Sequence, residues 1–338
     1  MRIVARAGNP DVAMVHVAEF GGRFVEFVES LQTGVPREEK WVVLVSTLFG
    51  CPIGCPMCDA GGDFSGRLAA AQILAQIDAV VDGRYPDRAV PARKFKVQFA
   101  RMGEPALNPA VIDVLGQLPS RYRAPGLMPS VSTVAPSSAG RFFEDLLEVK
   151  NEHYPGGRFQ LQFSVHSTDP NVRDLLVPVP KWGLDRIGAY GERWRRPGDR
   201  KVTLNFALAE GAPVVPESLL EHFDPRAFLV KVTPLNPTYS AIANGLASYI
   251  DPERESGYPL LDSIRDAGYE VILSIGEKEE NLIGSNCGQY VRAHVREGRS
   301  LAGAYEYDLE TRGHASRPPG GQQHLPPHVS EHGRSSGR

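Results

Sequence analysis

Cysteine is scarce in this chain, and the scarcity is informative. There are four in 338 residues, and three of them, Cys51, Cys55 and Cys58, fall within eight positions of one another. Four cysteines so placed do not make a disulfide framework. There is no run of 18 apolar residues, so no membrane-spanning helix is expected. Met1-Arg-Ile-Val-Ala-Arg6 lacks the apolar core that a secretory signal would need. Charge of one sign is also missing. The formal net charge is −3, which gives no global footprint of phosphate binding and weighs against nucleic acid as a partner. Beyond about Tyr307 the chain has almost no large apolar residues, and 308–338 is expected to be a disordered tail. A reduced, cytoplasmic compartment is consistent with this cysteine usage.

What is present is a hydrophobic content of 42%, enough for a substantial core, and an alternation of strand and helix patterns from Trp41 onward. Strands are expected at Trp41–Ser46, Phe95–Ala100, Ser130–Thr133, Phe159–Val165, Lys201–Leu208 and Phe228–Thr233. Helices are expected at Gly66–Asp82, Pro109–Leu118, Gly140–Val149, Asn171–Leu176, Gly183–Trp194 and Glu217–His222. Six such units imply parallel strands with right-handed crossovers. The fold class is therefore α/β, a partial (β/α)6 barrel, with a doubly wound open sheet as runner-up. Residues 1–40 read as a small β-hairpin extension built on Met14–Phe20 and Phe24–Val28 about Gly21-Gly22. The core barrel is placed at 41–237 and a C-terminal extension at 238–307, with a helix near Tyr258–Ala267 and a strand at Tyr269–Ile275.

The chemistry concentrates in Ser46-Thr-Leu-Phe-Gly-Cys-Pro-Ile-Gly-Cys-Pro-Met-Cys58, a C-x3-C-x2-C array following the first core strand. Three close thiolates suit a soft metal centre but leave a fourth position empty. A structural zinc site takes four protein ligands, and an electron-carrying 4Fe–4S cluster takes four cysteines. A cluster held by three keeps one iron open. The alternatives are a three-ligand zinc site or unrelated free thiols. Gly50, Gly54, Pro52 and Pro56 suppress helix, so that the backbone can wrap a bulky group.

In barrels of this kind functional residues stand at the C-terminal ends of strands. Gly103-Glu104-Pro105, Ser132, Ser164, His166 and Asn236 all fall there. Glu104 offers a carboxylate for an ammonium group, Ser132 a hydroxyl, His166 a group titrating near neutrality, and Asn236 a donor and an acceptor. Glu26 and Glu29 read as a solvated strand face. Cys287, between Asn286 and Gly288, sits in an expected loop.

The array resembles the signature of the radical S-adenosylmethionine (radical SAM) superfamily, with Met57 where an aromatic residue is usual. Residues 41–292 resemble more specifically the radical SAM methyltransferases that modify adenosine in large-subunit ribosomal RNA. The likeness rests on the cluster loop, Arg101-Met-Gly-Glu-Pro-Ala-Leu-Asn108, Val131-Ser-Thr133, Phe163-Ser-Val-His166, Thr233-Pro-Leu-Asn-Pro237 and Asn286-Cys-Gly-Gln289. It implies a 4Fe–4S cluster on Cys51, Cys55 and Cys58. It also implies SAM held by Gly103, Glu104, Ser132, Ser164, His166 and Asn236, and an electron donor such as flavodoxin or ferredoxin. Cys287 would carry a methyl group that is converted to a carbon radical and added to the substrate. That family resolves the resulting bridge with a second cysteine seven residues before the array, and here the position is Leu44. It also has a larger N-terminal RNA-binding region. The expectation is therefore a radical SAM enzyme that methylates, or forms another carbon–carbon bond on, a small molecule such as a nucleoside or sugar. RNA is the less favoured substrate. In the RNA alternative Glu26 or Glu29 would act as a base, Glu26 being preferred. A non-catalytic iron–sulfur protein is the reading from another class.

Overall fold

The alternation of apolar and polar residues along each strand dictates a sheet with two different faces. The computed structural model describes residues 1–285, 290, 307, 308, 310 and 311. Its strands are β1 (Arg2–Asn9), β2 (Ala13–Phe20), β3 (Arg23–Ser30), β4 (Trp41–Val45), β5 (Leu48–Cys51), β6 (Gly62–Arg67), β7 (Phe95–Phe99), β8 (Leu127–Thr133), β9 (Gln160–Ser164), β10 (Val202–Leu208), β11 (Phe228–Pro234), β12 (Val271–Leu273) and β13 (Glu310–Thr311). The helices are α1 (Ala70–Arg84), α2 (Ala110–Arg121), α3 (Gly140–His153), α4 (Pro170–Leu176), α5 (Leu184–Trp194), α6 (Pro216–His222), α7 (Tyr239–Ala243), α8 (Pro259–Asp266) and α9 (Lys278–Ile283). None of these helices is long and apolar enough to cross a membrane.

One large sheet runs in the order β12-β11-β10-β9-β8-β7-β4-β3-β2-β1-β13. From β4 through β12 every pairing is parallel. The order advances in one direction without a reversal. Right-handed crossovers then put the helices on the same face, as in a barrel wall. A doubly wound sheet would reverse its order partway, so the runner-up topology is not the one adopted.

The register decides which residues meet the helices. Trp41, Val43, Val45, Phe95, Val97, Phe99, Leu161, Phe163, Leu204, Phe206, Val230 and Val232 lie in one core with Ile73, Ile77, Val114, Leu118, Phe143 and Leu146 of the helices. α1 shows why: Ile73, Leu74, Ile77, Val80 and Val81 recur at helical spacing and form its buried stripe. The intervening strand residues point to the opposite, concave face.

Three differences from the sequence reading are physical. The N-terminal extension is a three-stranded meander rather than a hairpin, because β1 pairs with β2 along nearly its whole length. Its central residues are small or apolar on the side that packs on Val15, Val17 and Ile283. Gly66 and Arg67, expected to open the first helix, belong instead to β6, and the helix starts at Ala70. Glycines at 62 and 66 disfavour helix, and β6 pairs back on β5. Glu310–Thr311 pair with β1 although they fall in the expected disordered tail. Most of that tail, and Cys287, lie outside the described residues.

Candidate active site

The cysteine loop is a hairpin held from three sides. β5 and β6 pair across it, with Cys51 opposite Gly62. Gly50 has φ +74°, and a Cβ there would stand 2.6 Å from the Gly62 carbonyl oxygen, so only glycine allows this closure. Thr238 Oγ1 donates to the Met57 carbonyl at 2.9 Å, and the Asp59 carboxylate accepts from the backbone of Tyr239 and Ser240 at 3.2 and 2.8 Å. The segment after β11, which carries Asn236, is thereby fastened to the loop. At the base, Gln76 of α1 accepts from Ser46 N and donates to Ser46 O. Asn108 Nδ2 donates to the carbonyls of Thr47 and Leu68 at 2.7 and 2.8 Å.

Cys51 and Cys55 pack with Ile53, Val134 and Val177. Burial pushes the Cys51 thiol up to about 11. Burial, reinforced by the nearby Cys51 and Glu104, pushes Cys55 up to about 12. The two thiols and Glu104 therefore share one apolar-walled space. Such thiols become ligands only when a cation compensates their charge. Among the described residues no three His, Cys, Asp or Glu side chains converge as they would on a single ion.

Glu104 sits at the N-terminal end of a short turn, Pro105–Leu107, and is buried. Its carboxylate accepts from Ala106 N (3.0 Å), Thr133 Oγ1 (2.5 Å) and Val134 N (3.0 Å). Burial holds its pKa above the ordinary value, against these donors. Gly103, just before it, has φ +92°, and an added Cβ would lie 2.4 Å from Leu48 Cβ. The Gly-Glu pair is thus wedged against β5, beside the thiols.

Ser132 lies beside Thr133 on β8. Its hydroxyl oxygen is buried and has no hydrogen-bond partner among the described residues, so it is available to a ligand. Ser164 ends β9. His166, two residues on, has φ +65°, an uncommon conformation for a side-chain-bearing residue. Its Nδ1 accepts from Ala207 N at 3.2 Å, and burial with the nearby Arg173 holds it down to about 4, hence neutral. All six expected SAM-holding residues stand at the C-terminal rim of the parallel strands. Glu104 lies near enough to Cys51 and Cys55 for its charge to push both thiols up. Ser164, His166 and Asn236 reach the same rim on other strands. The buried, unpartnered hydroxyl of Ser132, the two half-buried thiols and the buried carboxylate fit a cluster-and-SAM site.

Glu26 and Glu29 do not form a solvated face. Both are buried, at 0% and 6% exposure. The expectation failed because β3 is an interior strand, flanked by β2 and β4. Alternation sends them to opposite faces. Glu29 joins Trp41 Nε1 (3.0 Å) and Arg84 on the helix side. Glu26 lies on the concave side, where Arg101 meets it at 2.7 Å. Arg101 also donates to the carbonyls of Ser285 (2.7 Å) and Gly284 (3.0 Å), which immediately precede the Cys287 segment. Sequence reasoning passed over Arg101 and Gln76. The signal for Gln76 was a polar residue inside an apolar helix stripe, and for Arg101 a charge directly after a buried strand. Leu44 is register-paired with Val28 and shares its concave face.

No family model matches the chain. It is similar to a probable dual-specificity RNA methyltransferase RlmN of Parafrankia sp., 28% identical over 275 residues, covering 74% of this chain and 68% of that one. It is also similar to the dual-specificity RNA methyltransferase RlmN of Halorhodospira halophila, 27% identical, covering 89% and 81%. The match to the corresponding Prochlorococcus marinus protein, 28% identical, spans 50% of its length. In fold the chain is similar to a radical SAM methyltransferase from Sphaerobacter thermophilus, with TM-score 0.62, 21% identity and coverage of 81% and 76%. In sequence the chain is similar to the RNA methyltransferases named RlmN, and it shares the fold of a radical SAM methyltransferase.

Proposed function

We propose that the chain methylates, or forms another carbon–carbon bond on, a small molecule of nucleoside or sugar type, at a site where Cys51, Cys55 and Cys58 hold a 4Fe–4S cluster. The cluster would supply the electron that cleaves SAM to a 5′-deoxyadenosyl radical. The protein's own part is positioning. Glu104 would take the ammonium of the methionine portion, exchanging its burial penalty for an ion pair. Ser132 Oγ would gain the partner it lacks. Neutral His166, its Nδ1 taken by Ala207 N, would present Nε2–H as a donor without adding charge. Gly103 keeps the backbone close to the thiols. Cys287 would be the methyl-carrying residue. An electron donor of flavodoxin or ferredoxin type and a cytoplasmic setting belong to the same reading.

The observation that carries the small-molecule assignment is Leu44. Its position faces the concave side, and in sequence it is the position, seven residues before Cys51, at which the resembled family carries the thiol that frees a covalently bridged RNA base. An apolar side chain there cannot perform thiol exchange. A second reading, RNA adenosine methylation, is favoured by the names of the relatives. In it Glu26 would have to leave Arg101 to act as a base.

Anaerobically reconstituted protein, given SAM, a reductant and a panel of nucleosides and sugars, should yield 5′-deoxyadenosine together with a methylated or coupled product. Finding neither with any member of the panel removes the proposal. Base mapping of ribosomal RNA from cells lacking the gene decides the second reading, since unchanged adenosine methylation eliminates it.

A further inference from the structure

The concave face of the sheet is polar, which is unusual for a barrel interior, where packed Val, Ile and Leu are the rule. The apolar half of each strand's alternation is spent on the helices. Lys96, Gln98, Ser130, Gln162, Asn205 and Lys231 take much of the other half, beside Leu44, Met128 and Leu229. The registers make neighbours of several: Gln98 stands opposite Ser130, and Asn205 opposite Lys231. Across the concave positions of β4 and of β7 through β11 there are two lysines and no carboxylate.

Lys96 and Lys231 are close enough for the charge on one to disfavour protonation of the other. Lys94, Lys40 and Arg200, at the N-terminal ends of the strands, add to the effect. Lys40 has Gln32 and the neighbouring Glu280 for company, and Arg200 donates to the Gly157 carbonyl. Lys96 has neither a hydrogen-bond acceptor nor an acidic partner among the described residues. A half-buried ammonium facing other cations is costly unless an anion joins it.

We propose that the concave face binds the phosphate group of a small phosphorylated substrate, with Lys96 as its principal ligand and Lys231 beside it. Separate ammonium groups act as point charges, which suits a phosphate approached from several directions better than it suits the planar carboxylate–guanidinium fork. Position adds a length. From Lys96 to Phe99 at the strand end the chain rises about 10 Å. A phosphate at Lys96 would therefore leave the remainder of a nucleotide or sugar phosphate reaching toward the rim of Glu104 and Ser132. The inference rests on the proposed function only for what happens at that rim, and phosphate binding can be measured without turnover.

The test uses the reconstituted full chain with Lys96→Met, Lys96→Gln and Lys96→Arg. Inorganic phosphate should raise the unfolding temperature of the wild type and of Lys96→Arg, and leave Lys96→Met and Lys96→Gln unmoved. By calorimetry, adenosine 5′-monophosphate should bind the wild type about ten times more tightly than adenosine, and Lys96→Met should bind the two equally. Cluster absorbance and SAM binding retained in a variant certify its fold. Phosphate that stabilises wild type and Lys96→Met alike, or a monophosphate preference that survives the substitution, overturns the proposal. So does a short oligoadenylate that displaces the monophosphate from wild type and itself loses tenfold in affinity in Lys96→Met, because the phosphate would then be that of RNA. Absence of 5′-deoxyadenosine with the phosphate preference intact would remove the proposed function and leave this inference standing.

Discussion

Arg101 and Glu26 meet at 2.7 Å with neither side chain exposed to solvent. The pair joins the end of β7 to the concave face of β3, and Arg101 extends the link to the carbonyls of Gly284 and Ser285. A buried charge stripped of its partner is far more costly than the intact pair is favourable. Arg101→Met should therefore destabilise the fold by about 3–5 kcal/mol in chemical denaturation. Glu26→Gln should cost less, because its amide oxygen still accepts from Arg101. The double variant should recover part of the loss.

Substitution of Gly103 should separate two kinds of strain. Gly103→Ala meets Leu48 Cβ at 2.4 Å and has the wrong φ for a side chain. A loss of about 2–4 kcal/mol, with weakened SAM binding, is the expected outcome. Adding Leu48→Ala removes the Cγ and Cδ1 contacts but leaves Cβ at 2.4 Å and the backbone cost, so thermal unfolding should show partial rescue at most.

The titration of Lys96 has a definite sign. Burial and the facing cations lower it from 10.5 to about 7. Between those values the unfolded chain binds the extra proton, so this group's contribution to stability rises with pH from about 7 to 10.5 and is flat below. Stability profiles of wild type and Lys96→Met, subtracted, should show that slope. At pH 7 the variant should be the more stable, by about 1 kcal/mol or more.

Cys51→Ala, Cys55→Ala and Cys58→Ala should each abolish the brown 4Fe–4S chromophore after anaerobic reconstitution. Cys287→Ala should keep it and keep SAM binding, while losing any methyl detected on the Cys287 peptide by mass spectrometry. A chromophore undiminished by all three loop substitutions would dismiss the cluster assignment.

The order of elements and the cysteine array were legible in the sequence, because both depend on residues close together in the chain. Strand alternation, helical stripes and the Gly- and Pro-punctuated loop are local properties. Expected and observed bounds agree within a few residues for Trp41–Val45, Phe95–Phe99 and Leu184–Trp194. The placement of functional residues at strand ends followed from the same local reading. Long-range pairing was not legible. β1 was missed because its strand character depends on β2 and β13. Glu26 and Glu29 look alike in sequence, three residues apart in one strand. Only the register of β3 on β4 sends one to Arg101 at the site and the other to Trp41 and Arg84 in the helix layer. The same holds for Lys96. Its strand position could be read directly, but the company of other cations around it arises when seven parallel strands curve their polar faces toward one another, and that curvature is a property of the assembled sheet.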